Sequence, residues 1–215
     1  MSKPPLLLAM DTSTGTASVA LYDGQAIVSE TTWLAGREHS TRLLVEIDVA
    51  LERIGRAAQD VTGLVVARGP GSFTGVRVGL SVAKGMAAGL SVPLWGVSSL
   101  DVLAHAAGAV ELPVRALLEA GRGRYATALY NRGVALDHPH LSTLDALVTS
   151  IDEPALLIGD LRPEARGRLE AATSARLADP AACLRRAGFL AELGWRMAQA
   201  GDPGDPRSVD ALYVT

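Results

Sequence analysis

Asp11, Thr12, Ser13, Thr14 and Gly15 stand in a row behind the apolar run Leu6–Met10. A carboxylate followed by three hydroxyls and a glycine can do phosphate chemistry. The hydroxyls and turn N–H groups wrap the oxygens, and the aspartate holds magnesium through water. The same residues can instead cap their own turn, Asp11 and the hydroxyls bonding nearby backbone; taken alone, this stretch favours capping. A second candidate is Gly69-Pro70-Gly71-Ser72-Phe73-Thr74-Gly75, which leads into a helical segment. Helix N-terminal N–H groups at a glycine-rich entry suit an anion. The run is not a P-loop, because Val76 and Arg77 follow where lysine and a hydroxyl residue are required. Its alternative role is a tight strand-to-helix turn capped by Ser72 or Thr74. Any phosphate or nucleotide contact would come from Asp11, Thr12, Ser13, Gly69, Gly71 and Ser72.

Other chemistry is scarce. The histidines are His39, His105, His138 and His140, in no His-Glu-x-x-His arrangement, and Cys183 has no partner for a zinc set. No Gly-x-Ser-x-Gly elbow occurs. No catalytic residue and no metal ligand is therefore assigned. The Glu119–Tyr125 run, with Arg122 and Arg124, could contact a partner or an anion, but reads better as a charged hairpin turn. The 215 residues are 48% apolar with a formal charge of −3, a globular balance and not that of a basic nucleic-acid module. One cysteine excludes an internal disulfide and fits a reducing cytoplasm. The opening apolar run is too short for a signal segment or a membrane span.

These residues need elements to hold them. Residues 6–10 read as a strand, and 16–33 as a hairpin turning at Asp23-Gly24. In 38–55, Leu43, Ile47, Ala50, Leu51 and Ile54 share one helical face, and Gly55 closes it. A strand at 63–68, a helix at 72–90, a strand at 92–97 and a helix at 98–107 follow. The order βββαβαβα is that of a ribonuclease-H-like lobe. Residues 111–138 look like the same opening again, followed by a helix at 142–151, a strand at 154–159, a long helix at 179–201 and an apolar strand or tail at 210–215. The expectation is an α/β protein of two such lobes, 1–107 and 108–215, the second reduced.

The 72–90 helix is apolar on two sides. Val76, Leu80, Ala83 and Ala87 suffice to pack on a sheet. Gly75, Val78, Gly79, Val82, Met86 and Gly89 form a second, smooth face. Its Gly-x-x-x-Gly spacing would admit another helix, with burial inside the protein nearly as good an account.

The runs "LLLAMDTSTGTASVALYDG", "REHSTRLLVEID", "RGPGSFTGVRVGLSVAKGMAAG", "VPLWGVSSLDVLA" and "GRGRYATALY" together resemble the TsaB (YeaZ) family. The resemblance is dense over 6–130 and thin afterwards. It implies the actin, sugar-kinase and Hsp70 ATPase fold group and a cytoplasmic, non-catalytic subunit of the machinery that makes threonylcarbamoyladenosine beside the tRNA anticodon. It implies pairing with the catalytic subunit TsaD, with TsaE, an ATPase, joining the pair and TsaC supplying the threonylcarbamoyl-adenylate. Alone, such chains form homodimers through the same surface. That surface would be Leu43, Leu44, Ile47 and Leu51 with Gly75, Val78, Gly79, Val82 and Met86. ATP and metal would belong to the partner subunits, none being held tightly by this chain. Ser99 and Leu103 stand where TsaD carries its two metal-binding histidines, and neither suits that metal. One departure is Glu119-Ala120-Gly121, where the family usually has Asp-Ala-Arg. The rival reading is an independent ATPase or small-molecule kinase; a peptidase has no nucleophile–base or zinc set behind it. Gly79→Arg is expected to weaken pairing and spare the fold.

Overall fold

The computed structural model describes residues 4–35 and 39–214; position 38, where the sequence places the start of the first helix, lies outside them. Three strands open the chain: β1 (Leu7–Asp11), β2 (Thr16–Tyr22) and β3 (Ile27–Leu34). They are followed by α1 (His39–Arg53), β4 (Gly63–Ala67), α2 (Phe73–Leu90), β5 (Leu94–Val97) and α3 (Ser99–Ala106). The sheet order is β3-β2-β1-β4-β5. β1 pairs antiparallel with β2 and parallel with β4. Every residue of β1 and β4 is buried, as strands covered on both faces require.

The second half repeats this plan: β6 (Val114–Glu119), β7 (Arg124–Asn131), β8 (Val134–Ala135), β9 (His140–Thr143), α4 (Leu144–Ser150), β10 (Leu156–Gly159), α5 (Pro163–Ala172), β11 (Arg176–Leu177) and α6 (Ala187–Gln199). The order β8-β7-β6-β10-β11 has the same senses as the first sheet, antiparallel on one side of β6 and parallel on the other. Two lobes of the same ribonuclease-H-like strand order result. The second is reduced, its outer strands β8 and β11 spanning only two residues each.

The division between compact units differs from a cut at residue 107. Unit one is residues 1–98 with 185–212, and unit two is 99–184 with 213–215. The closing helix of each repeat packs with the other repeat's sheet: α3 lies on β6, and α6 lies on β1 and β2. The physical sign is Gly194 of α6, where a Cβ would come within 2.3 Å of the Val65 side chain. Only a bare glycine lets that helix sit so close to β4.

In unit one, α1 and α2 cover one sheet face. Leu43, Ile47, Ala50 and Leu51 join Leu8, Met10, Val19, Leu64, Val76, Leu80 and Ala83 in one apolar cluster. In unit two, Leu100 and Leu103 of α3 pack with Ala116, Leu118, Ala128 and Tyr130. The Tyr130 hydroxyl donates to Asp101 Oδ1 at 2.7 Å. Burial first, and then the Asp101 charge, push that phenol well above its ordinary range, so it stays protonated.

Two expectations give way. The helix foreseen over 179–201 is confined to 187–199, because 180–183 form turns and 184–186 are irregular. Helix α5 and strand β11 were not foreseen; α5 buries only Ala165 and Leu169, so its sequence has no apolar stripe to betray it. Of the strand or tail expected at 210–215, the described residues 210–214 take the tail. The segment from Gly204 runs along β5: Leu94 N–H donates to the Gly204 carbonyl at 2.9 Å, and Leu212 N–H to that of Arg68 at 2.7 Å.

Candidate functional site

The two glycine- and hydroxyl-rich loops meet at the carboxyl ends of β1 and β4. Both oxygens of Asp11 are engaged. Oδ1 accepts from the Ser13 N–H at 2.8 Å and the Ser13 hydroxyl at 2.6 Å. Oδ2 accepts from Arg185 Nε–H at 3.0 Å. Arg185 Nη2 also donates to Thr14 Oγ1. Asp11 and Arg185 are 1% and 3% exposed. Thr12 donates its hydroxyl to the Gly75 carbonyl at 2.7 Å.

The loop before α2 lies directly on these residues. Ser72 N–H donates to the Ser13 carbonyl at 2.6 Å. A Cβ on Gly71 would sit 2.0 Å from that same carbonyl oxygen, and one on Gly69 2.9 Å from Leu212 O. Ser72 caps the helix, its Oγ accepting from Gly75 N–H at 3.3 Å. All six candidate phosphate residues thus come together, but they come into contact with one another. The N–H groups of Ser13, Ser72 and Gly75 are spent inside the protein, and no gap of phosphate size separates Gly71 from Ser13. These residues do not fit a nucleotide's phosphates or a metal ion bound to them. Replacing the cap, Ser72→Ala, is expected to cost about 1 kcal/mol in urea unfolding.

The surface of α1 and α2 sorts the nine candidate contact residues into two groups. Leu43, Ile47 and Leu51 are core residues of unit one. The sheet of unit one claims the apolar stripe they form. Gly75 and Gly79 are buried too. A Cβ at Gly75 would come 2.0 Å from Thr12 O, and one at Gly79 2.5 Å from Thr12 Oγ1. The Gly-x-x-x-Gly spacing therefore admits the β1–β2 loop of the same chain and not an outside helix. These five residues are corrected from partner contacts to internal ones. Gly79→Arg, accordingly, would damage the fold itself.

The other four stay accessible. Leu44 is 49% exposed, and Val78, Val82 and Met86 are half-buried at the flank of the unit-one core. Two neighbours escaped the sequence reading: Val45, 54% exposed, and Phe73, 56% exposed. The Arg77 guanidinium lies over the Phe73 ring, 3.7 Å from its centroid. An aromatic immediately after a helix cap was the available signal. Helices α1 and α2 are in contact, and each carries exposed apolar side chains.

Unit two supplies no comparable feature at the positions singled out. Ser99 and Leu103 are buried. Glu119 pairs with Arg162 at 3.3 Å, one residue pair from the tight β6–β7 turn, where Gly121, Arg122 and Gly123 all have positive φ. His140 Nδ1 lies 3.0 Å from the His138 carbonyl. Among the described residues no three His, Cys, Asp or Glu side chains are grouped to hold a metal ion, and no helix is long and apolar enough to cross a membrane.

Comparison with known proteins places this arrangement. Residues 32–174 match the family described as TsaD, tRNA N6-adenosine threonylcarbamoyltransferase. The chain is 36% identical over 124 residues to the tRNA threonylcarbamoyladenosine biosynthesis protein TsaB of Bacillus subtilis, covering 58% of this chain and 54% of that one. It is 39% identical over 130 residues to the Escherichia coli protein of the same name, covering 59% and 55%. The matched stretch thus spans about half the length of each of these relatives. Among solved structures, YeaZ from Pseudomonas aeruginosa superposes with a TM-score of 0.80 at 26% identity, covering 98% of this chain and 100% of that one.

Proposed function

The chain belongs to the TsaB (YeaZ) family, and on that premise we propose that it is a non-catalytic subunit of the tRNA threonylcarbamoyladenosine transferase complex. It supports a TsaD-type catalytic subunit in modifying the adenosine next to the tRNA anticodon. It docks on that subunit through α1 and α2, and in its absence a second copy takes the same surface. TsaE and the product of TsaC act through the assembled pair, in the cytoplasm.

The observation that carries this reading is the set of apolar side chains left about half-exposed on two helices in contact, Leu44 and Val45 on α1 and Phe73 on α2. Isolated exposed apolar side chains are ordinary on any protein. Several on neighbouring helices, with half-buried Val78, Val82 and Met86 also on α2, are what an interaction site would use. Burying it against an apolar helix returns roughly 25 cal/mol per Å² of area removed from water.

The test is a sedimentation titration of the chain with a TsaD-type subunit, followed by tRNA modification assays with and without the chain. A 1:1 complex and modification that depends on the chain are expected. No association at micromolar concentrations, or undiminished modification without the chain, would overturn the proposal.

A further inference from the structure

A carboxylate followed by hydroxyls and a glycine, as in Asp11–Gly15, is chemistry that could receive a phosphate and its metal; here that loop is closed. We infer that Arg185 is the resident cation of the closed loop: its guanidinium takes the place of metal and phosphate on Asp11, and by doing so pins the returning chain to unit one. This inference stands apart from the docking surface and needs no partner subunit.

Three observations converge on it. First, a carboxylate buried to 1% exposure needs a counter-charge, and Arg185 Nε at 3.0 Å from Oδ2 is the cation that meets it. Its second nitrogen reaches Thr14 Oγ1, so the planar fork spans two positions of the loop, as a point charge could not. Second, the rest of the loop is satisfied internally. Ser13 N–H and Oγ–H fill Asp11 Oδ1, and Ser72 N–H is turned to Ser13 O. An incoming phosphate would have to displace each of these bonds. Third, Arg185 is the residue at which the chain re-enters unit one. Its own carbonyl accepts from Ser18 Oγ at 3.2 Å on β2, and the next residue, Arg186, pairs with Glu30 of β3. The fastening therefore begins at Arg185 and continues into α6.

The loop thus holds an internal ligand on the carboxylate that could otherwise meet an exchangeable one. Both oxygens of Asp11 are taken, Oδ1 by Ser13 and Oδ2 by Arg185, and neither is left for a nucleotide's metal. The removal of Arg185 leaves a buried anion that a small planar cation could meet.

The experiment uses the full chain. Calorimetric titration of the unaltered protein with magnesium ATP and with magnesium pyrophosphate is expected to give no binding heat up to millimolar ligand. Arg185→Ala is expected to lower the thermal midpoint by roughly 10 °C. Millimolar methylguanidinium should restore part of that loss, and methylammonium should not. The rescue should vanish in Asp11→Ala/Arg185→Ala. Binding of magnesium ATP that is lost in Asp11→Ala would overturn the inference. So would an Arg185→Ala chain that melts with the unaltered protein, or one that folds, is destabilised and shows no methylguanidinium rescue. If Arg185→Ala cannot be obtained folded, Arg185→Lys decides: an intermediate midpoint supports the fork, and an unchanged midpoint overturns it.

Discussion

Gly75→Ala should destabilise the chain by about 3 kcal/mol or more, whereas Gly85→Ala, ten residues along the same helix, should stabilise it by about 0.5–1 kcal/mol. At position 75 the new methyl would lie 2.0 Å from the Thr12 carbonyl oxygen. That oxygen belongs to a buried backbone, which cannot rotate aside as a long side chain could. The helix would have to lift from the β1–β2 loop, breaking the Thr12–Gly75 hydrogen bond and moving the Ser72 cap. At position 85 nothing lies within 4 Å of the added Cβ, and the residue is exposed. There the substitution only removes glycine's excess freedom in the unfolded chain. Urea unfolding midpoints of the two variants should move in opposite directions. Equal shifts would mean that the contact between α2 and the loop does not hold.

The second large effect concerns association. Leu44→Asp combined with Phe73→Asp should weaken pairing with a TsaD-type subunit by 100-fold or more, about 3 kcal/mol, because each places a charge in a surface that must lose its water. Folding stability should change by no more than about 1 kcal/mol. Both side chains are about half-exposed, and Phe73 is the first residue of α2, where an acidic group suits the helix dipole. The loss of the Arg77–Phe73 stacking is part of that small change. Sedimentation velocity measures the pairing and urea unfolding the fold. A variant that still pairs with unchanged affinity would place the docking surface elsewhere.

The contrast between these two experiments shows what the residues disclose by themselves. The alternation of strands and helices is legible because it rests on periodicity. The stripe Leu43, Ile47, Leu51 has to be buried somewhere, and the sheet of its own unit takes it. A glycine pair at helical spacing says only that something approaches closely. Whether that is a partner helix or the turn Thr12-Ser13 depends on contacts across more than sixty residues of chain, which no local pattern encodes. Arg185 is harder still. In Leu184-Arg185-Arg186 it resembles a solvated charge, and only the placement of Asp11, 174 positions away, makes it a buried ion-pair partner. The crossing of α3 and α6 is invisible for the same reason: an apolar helical stripe specifies that it must be covered and leaves open by which sheet.

That crossing has a consequence for synthesis on the ribosome. The first sheet is complete once Val97 has been made, and α1 and α2 can cover one of its faces at once. The opposite face, with Ala9 and Val65, is covered by a helix that begins only at Ala187. At ~5–20 residues per second, about 5–20 s pass between the two events. Throughout that interval a nascent five-stranded sheet presents an apolar face with no helix of its own to lay on it, so the first lobe to be translated is among the last parts to finish folding.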